Sequence, residues 1–288
     1  RPEELSNLNS SQPMSLPSAH LRSHLRSIIR SFATNATNDV VASFKHVSFN
    51  HGTRSILEDV SFSIRQSSKI TLMGQNGSGK STILKLLSND HAPDSGSVHL
   101  THNQTVAVAK QTMSPAARAQ TVHHFFASQF ENQTKTATLH EIDREISRSL
   151  DEVRLDAPLD RLVSSFSGGQ QARLLLAAAL ITNPSILLLD EPTNNLDVEG
   201  IRSLTELITN TDKTCLVISH DEKFLNSFTD SVLYLDIFSK KIESYNGDYY
   251  FVQKEIEARR ERENSKNQRL AKEAQKKKDQ AGVFANKG

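Results

Sequence analysis

Gly74-Gln75-Asn76-Gly77-Ser78-Gly79-Lys80-Ser81-Thr82 has the residue types and spacing of a phosphate cradle, G-x-x-x-x-G-K-[ST]. Glycines let the backbone curl until successive N–H groups face one anion, and the start of the following helix adds partial positive charge. In such a loop the Lys80 ammonium reaches the β- and γ-phosphates, and the Ser81 hydroxyl ligates Mg²⁺. The apolar run Ile70–Met73 leads in, and Thr82-Ile83-Leu84-Lys85-Leu86-Leu87 leads out as a helix. An ordinary Gly/Ser loop lacks this strand–loop–helix context. We assign Gly74, Asn76, Gly77, Ser78, Gly79, Lys80, Ser81 and Thr82 to nucleotide binding.

A second set of residues follows a second apolar strand. Ile186-Leu187-Leu188-Leu189 ends in Asp190-Glu191. A buried strand delivers Asp190 to the C-terminal edge of a sheet, beside the phosphate loop, where a carboxylate holds Mg²⁺. Glu191, one residue on, is placed to orient or deprotonate an attacking water. An Asp-Glu pair after a strand also serves as a helix N-cap, and Pro192 fits a turn there. About twenty residues upstream, Ser167-Gly168-Gly169-Gln170 opens a Leu- and Ala-rich helix. Its uncrowded backbone and positive dipole end suit a γ-phosphate.

In this order the motifs resemble those of the ATP-binding cassette (ABC) ATPases, with Ser167–Gln170 matching the family signature. Phe166 stands where the family usually has Leu. The resemblance implies that the signature acts on ATP held by a second cassette, in a head-to-tail sandwich. It implies that Gln111 is the Q-loop glutamine, sensing Mg²⁺ and the attacking water. It makes His220, in Val217-Ile218-Ser219-His220-Asp221, the switch histidine at the γ-phosphate, and places Asp197 of Asn194-Asn195-Leu196-Asp197 at the cassette interface. His51 falls where the family has an adenine-stacking Tyr; an imidazole stacks less well than a phenol ring. The implied catalytic set is Glu191, His220 and Gln111, and the implied metal set is Ser81, Gln111 and Asp190. The implied nucleotide contacts add His51 and Ser167, Gly168, Gly169 and Gln170 to the loop residues. ATP and Mg²⁺ are the implied cofactors.

Glu191-Pro192-Thr193-Asn194-Asn195-Leu196-Asp197 is similar to the E-P-T-N-H-L-D string of the ABC-F branch, with Asn195 for His. Tyr245-Asn246-Gly247-Asp248-Tyr249 is similar to that branch's Y-x-G-[ND]-Y turn. ABC-F proteins carry two cassettes in one chain, lack membrane domains and mostly act on ribosomes. The resemblance therefore implies a ribosome or RNA partner, a second cassette, and a chain that is the first cassette of a longer protein. The interval from Gln111 to Ser167 is short for the helical arm many first cassettes carry. The alternative is the ATPase subunit of an ABC transporter with a separate membrane domain.

The elements needed to position these residues are legible in outline. Residues 1–40 read as a tail, 41–249 as the cassette and 250–288 as a charged helical linker. Strands are expected near Val40–Phe49, Ile56–Ile64, Val98–Leu100, Val106–Ala109, Ser185–Leu189, Thr214–Ser219, Val232–Asp236 and Lys241–Tyr245. Helices are expected within Ser114–Val163, at Ser167–Leu180 and at Leu196–Thr209, with a turn at Pro93–Gly96. Strands alternating with helices imply a parallel α/β sheet. The resemblance implies the fuller class: a P-loop NTPase cassette of a mixed-sheet core, an antiparallel β subdomain and a helical signature subdomain, then a long C-terminal helix. With 36% hydrophobic residues the 288-residue chain can build a sizeable core, and its formal net charge of +1 identifies no partner class. A single cysteine, Cys215, excludes an internal disulfide framework and reads as a buried small hydrophobe. No apolar run approaches the roughly 18 residues that span a membrane.

Arg22, Arg26 and Arg30 recur every fourth residue opposite Leu21, Leu25, Ile28 and Ile29, and no acid occurs between Glu4 and Asp39. An Arg- and Ser-rich, acid-poor amphipathic stretch over residues 14–33 has the composition of a mitochondrial transit peptide, which implies the matrix. The alternatives are a disordered basic tail and a cytoplasmic protein. Residues 14–40 fused to a fluorescent reporter should carry it into mitochondria; a diffuse cytosolic signal would select the tail reading.

Overall fold

The computed structural model describes residues 39–131 and 139–285. The transit-peptide reading lies outside the described residues. Two antiparallel strands, β1 (Val40–His51) and β2 (Arg54–Arg65), form a hairpin, and β4 (Ser95–Leu100) pairs with the far edge of β1. Gly96, read as part of a turn, already belongs to β4. The register slips between Lys45 and Ser48 as β1 passes it, and a Cβ on Gly96 would lie 2.2 Å from the His46 carbonyl oxygen. With φ at 78°, the position takes glycine to let the two backbones close over that bulge.

The second sheet has six strands in the order β5-β6-β7-β3-β8-β9. They are β3 (Lys69–Gly74), β5 (Val106–Ala109), β6 (Ile186–Asp190), β7 (Thr214–Ile218), β8 (Ser231–Leu235) and β9 (Ile242–Asn246). Five run parallel; β9 returns antiparallel on β8, so the sheet is mixed, as the family resemblance implies. The alternation of strands and helices alone implied parallel strands throughout. The short hairpin between β8 and β9, with no crossover helix, is what reverses the last strand.

The helices are α1 (Lys80–Leu87), α2 (Pro115–Arg118), α3 (Val122–Glu131), α4 (Leu139–Glu152), α5 (Gly168–Leu180), α6 (Val198–Asn210), α7 (Glu222–Asn226) and α8 (Tyr249–Ala285). The five-residue α7 was not read from the sequence, because it is too short to show a hydrophobic period. Cys215 is fully buried in β7, and burial pushes its thiol up to about 11.

Side-chain alternation explains why β6 is a continuous apolar run. Leu187 and Leu189 join the core under the helices, with Phe126, Ile146, Leu174 and Ile208. Ile186 and Leu188 face the other way, onto the core shared with α1 and the antiparallel sheet. A parallel strand buried on both faces needs apolar residues at every position. Leu188→Ala and Leu189→Ala should therefore each cost about 2–5 kcal/mol. Urea titration should show this as a lowered midpoint at unchanged slope; a cost near zero for either would place that face in water.

Candidate functional site

The site is assembled at the C-terminal ends of β3, β6 and β7, where an open parallel sheet presents its loops. Residues Gly74–Gly79 leave β3 and curl back into α1. Gly77 and Gly79 have φ of 77° and 109°. A Cβ on Gly79 would sit 2.3 Å from Ile56 Cγ2, so only glycine lets the loop pass beneath β2. The Ser78 N–H donates to the Gln75 carbonyl at 3.1 Å, closing the turn. The Lys80 ammonium points into the curl and donates to the carbonyls of Gly74 (2.9 Å) and Gln75 (3.2 Å). Partial burial lowers the Lys80 pKa, while Glu191 and then Asp190 pull it back up.

Asp190 closes β6, and its Oδ2 accepts from the Ser81 hydroxyl at 3.0 Å. Two hard oxygen donors this close suit Mg²⁺, which takes one or two protein oxygens and completes its shell with water and phosphate oxygens. The residues present thus fit both groups the sequence implies: a glycine-lined cradle with an ammonium in it, and a hydroxyl–carboxylate pair at its mouth.

Glu191 is the first residue past the strand. Its N–H donates to the Ile218 carbonyl at 2.9 Å, tying it to β7, and its φ of 51° turns it sharply out of the sheet direction. Left-handed backbone at a non-glycine residue costs on the order of 1–3 kcal/mol and clusters at functional sites. The Glu191 carboxylate is 11% exposed and meets both the backbone N–H and the ring Nε2 of His220 at 3.3 Å. Thr193 and Ser219, whose hydroxyls are 2.9 Å apart, add a second tie between the two loops. The N-cap alternative for Asp190-Glu191 does not describe the fold. Asp197 caps α6 by accepting from the Gly200 N–H at 2.8 Å.

The structure thus brings Lys80, Ser81, Asp190, Glu191 and His220 into one place. Gln111 is exposed after β5 and lines one cavity with Glu191 and Asn194. His51 is exposed at the end of β1, opposite Arg54. Gly74 packs so closely on β8 that a Cβ would lie 2.7 Å from the Leu235 carbonyl oxygen. Asn76 is exposed at the crown of the loop, and Thr82 is half-buried in the first turn of α1.

Ser167–Gln170 is not joined to that cluster by any hydrogen bond among the described residues. Ser167 and Gln170 form a reciprocal capping box on α5, with the Ser167 N–H donating to Gln170 Oε1 at 3.0 Å and the Gln170 N–H to Ser167 Oγ at 3.3 Å. Beside it lies the Asn194–Asp197 loop: a Cβ on Gly169 would come within 3.0 Å of the Asn195 carbonyl oxygen.

Two residues went unread in the sequence. Arg54 donates to the Gly77 carbonyl at 3.2 Å, clamping the crown of the phosphate loop to the β1–β2 hairpin. Arg173 on α5 reaches Asp197 at 3.4 Å and the Arg154 carbonyl at 3.3 Å, linking the signature helix to the loop before α6. Local spacing announces neither, since each depends on two elements docking. The only available hint was Arg173 lying one helical turn beyond Gln170.

The family model described as "ABC transporter" matches residues 57–194. The chain is 33% identical over 240 residues to the probable ATP-binding protein YheS of Escherichia coli K12, covering 81% of this chain and 36% of the relative. It is 32% identical over 197 residues to the ATP-binding protein Uup of Caulobacter vibrioides, covering 68% and 32%. It is 29% identical over 238 residues to ABC transporter F family member 5 of Arabidopsis thaliana, covering 69% and 34%. The chain thus spans about a third of the length of these relatives.

Among solved structures, an ATP-binding subunit of an ABC transporter superposes with a TM-score of 0.64 at 21% identity, covering 75% of this chain and 93% of that one. The dimeric MJ0796 cassette bound to ADP and Pi superposes at 0.61 and 22% identity, covering 71% and 98%. These two establish the fold. The motif order and the sequence relatives show that the chain belongs to the ATP-binding cassette ATPases, in the F branch of that family.

Proposed function

We propose that the chain binds Mg-ATP in the Gly74–Thr82 loop and hydrolyses it when a second cassette closes over the site, and that this cycle serves a ribosome-associated translation factor. The observation that carries the reading is the convergence of Lys80, Ser81, Asp190, Glu191 and His220 from three strand ends. In it Lys80 neutralises the β- and γ-phosphates. Ser81, Asp190 and Gln111 would hold Mg²⁺, which would supply neutralisation of the phosphate charge, and Gln111 would also help place the attacking water. Glu191 takes the proton of the attacking water. His220, 68% exposed and touching Glu191, contacts the γ-phosphate from the open side. The capped start of α5, at Ser167–Gln170, presents backbone N–H groups to a nucleotide held by the partner cassette. His51 supplies the adenine face.

The ribosomal part of the reading draws on the F-branch resemblance of the Glu191–Asp197 and Tyr245–Tyr249 motifs and on α8, an exposed helix bearing Arg262, Lys266, Arg269 and Lys272. Residues 14–33 add the mitochondrial matrix as its place of work. The second reading, a transporter ATPase subunit, draws on the transporter name of the matching family model. That reading pairs the cassette with a separate membrane domain; no helix among the described residues is long and apolar enough to cross a membrane.

Lys80→Ala should weaken Mg-ATP binding by about 2–3 kcal/mol, since a charge-assisted contact is lost and phosphate charge is left uncompensated. Calorimetry should read this as about 30- to 150-fold; near-normal affinity would refute the phosphate-loop assignment.

Glu191→Gln keeps size and hydrogen bonding but removes the base. ATP should still bind, while turnover falls by about 10²–10⁴-fold. With the corresponding glutamate of the second cassette also changed, the ATP-closed protein should sediment with ribosomes when ATP is added. If it binds ATP yet fractionates with membranes instead, the transporter reading is correct.

A further inference from the structure

The long helix α8 begins against the phosphate end of the sheet. Val252 and Ile256 are buried on Val232 and Tyr234 of β8, and Tyr234 lies opposite Met73, the residue before the phosphate loop's Gly74. A cavity of ≈ 290 Å³ separates the loop from the helix, with Lys80 and His220 on one wall and Gln253, Glu257 and Arg260 on the other. Three contacts cross between helix and site. Gln253 Nε2 donates to Glu222 Oε1 at 3.2 Å. The Tyr250 N–H donates to Asn226 Oδ1 at 3.0 Å. The Arg260 guanidinium donates to the Tyr234 hydroxyl and lies over its ring, 5.5 Å from the centroid.

Glu222 is two residues past His220 and opens α7, and Asn226 closes it. The segment carrying His220 is therefore held from two sides. Glu191 accepts its backbone N–H in front. Behind, Glu222 and Asn226 are held by the first turn and a half of α8.

We propose that Gln253 is a positioning residue for His220, and that through Gln253 and Arg260 the seating of the first three turns of α8 is coupled to occupancy of the phosphate cradle. The inference rests on the nucleotide-binding reading given above. His220 meets a phosphate held by Lys80 only while the Ser219–Asp221 backbone stays beside the loop, and the Glu222–Gln253 bridge sets where that backbone is anchored. A displacement of His220 toward a bound phosphate moves Glu222 relative to Gln253. Nucleotide and helix seating then bias each other by the same factor, as linkage requires. The Gln253–Glu222 bridge is exposed and the Arg260–Tyr234 bridge only partly buried, so the coupling is a few-fold effect and not an all-or-none switch.

The test is amide hydrogen exchange on the whole chain with and without Mg-ATP, with binding followed in parallel by calorimetry. Mg-ATP should slow exchange of residues 249–260 by about three- to tenfold. Gln253→Ala should still bind Mg-ATP but lose that slowing. A purely structural role would raise exchange equally in both states and leave the difference intact. The double variant Glu222→Gln with Gln253→Glu rebuilds the bridge with donor and acceptor exchanged, and should restore the slowing. Gln268→Ala, exposed on the same helix beyond the contacts, should behave as the unaltered chain. If the unaltered chain binds Mg-ATP with no change at 249–260, or if Gln253→Ala retains the full slowing, the coupling is overturned. Failure of the unaltered chain to bind Mg-ATP at all would remove the nucleotide reading, and the coupling with it.

Discussion

Asp190 accepts from the Ser81 hydroxyl across 109 residues of sequence, and the rest of the site is arranged around the constraint that makes this contact possible. β6, β7 and β3 are parallel neighbours, so all three chains emerge at one edge of the sheet. Their register is held because both faces are buried. A one-residue slip of β6 would exchange Leu187 and Leu189 with Ile186 and Leu188 between two differently shaped cores. The acid after β6, the histidine after β7 and the loop after β3 are therefore brought together by packing that none of them contributes to. The reverse edge shows the same economy. Lys69, at the start of β3, is buried, and its ammonium donates to the carbonyls of Thr211 and Lys213. Thr211 is the C-cap of α6, where helix carbonyls favour a positive donor, so the buried Lys69 side chain joins the helix layer to the sheet.

At the functional edge the backbone is less relaxed. Glu191 and Asn195 are both left-handed, at φ of 51° and 66°, and both lie in the short link between β6 and α6. That link must swing Glu191 toward His220, bring Asn195 against Gly169 and deliver Asp197 to cap α6, within seven residues from Asp190. The strain is held by ties to neighbours: the Glu191 N–H on β7, the Thr193 hydroxyl on Ser219, and Arg173 on Asp197. These ties join the link to β7 on one side and to α5 on the other. In this chain Arg173 is the side chain that carries the connection.

Much of this was legible because the chemistry-bearing residues sit where chain direction changes. Gly74–Thr82 announces its own conformation, since only glycine accepts φ values of 77° and 109° without strain. The apolar run before Asp190 could only be a strand buried on both faces, which fixes where its last residue emerges. The Ser167–Gln170 cap is a local hydrogen-bond pattern and was readable as a helix start. What stayed hidden was tertiary. Arg54 looks like any charged hairpin residue until the hairpin docks on the phosphate loop. The antiparallel return of β9 depends on a tight connection after Leu235 that carries no strong turn signature. α8 could be recognised as a long charged helix from composition, but not that Val252 and Ile256 are buried on β8, because two apolar residues in so polar a segment give little period.

The site therefore has a finished back and an open front. Behind it, α8, β8 and α7 close around Lys80 and His220, with the Tyr234 ring and the Gln253 amide as inner surfaces. In front, Ser81 and His220 are exposed, and the capped end of α5 is presented beside Asn195 with no hydrogen bond to the same chain's phosphate loop among the described residues. A complete catalytic enclosure excludes water from around the transferring phosphate, because electrostatic stabilisation weakens sharply in a wet site. On the proposed reading the open front is the side from which that enclosure would be completed, and a helix start like that of α5 carries the partial positive charge to face a phosphate there. The open front of the phosphate loop and the capped start of α5 are the two half-site surfaces that the proposed closure by a second cassette would bring together.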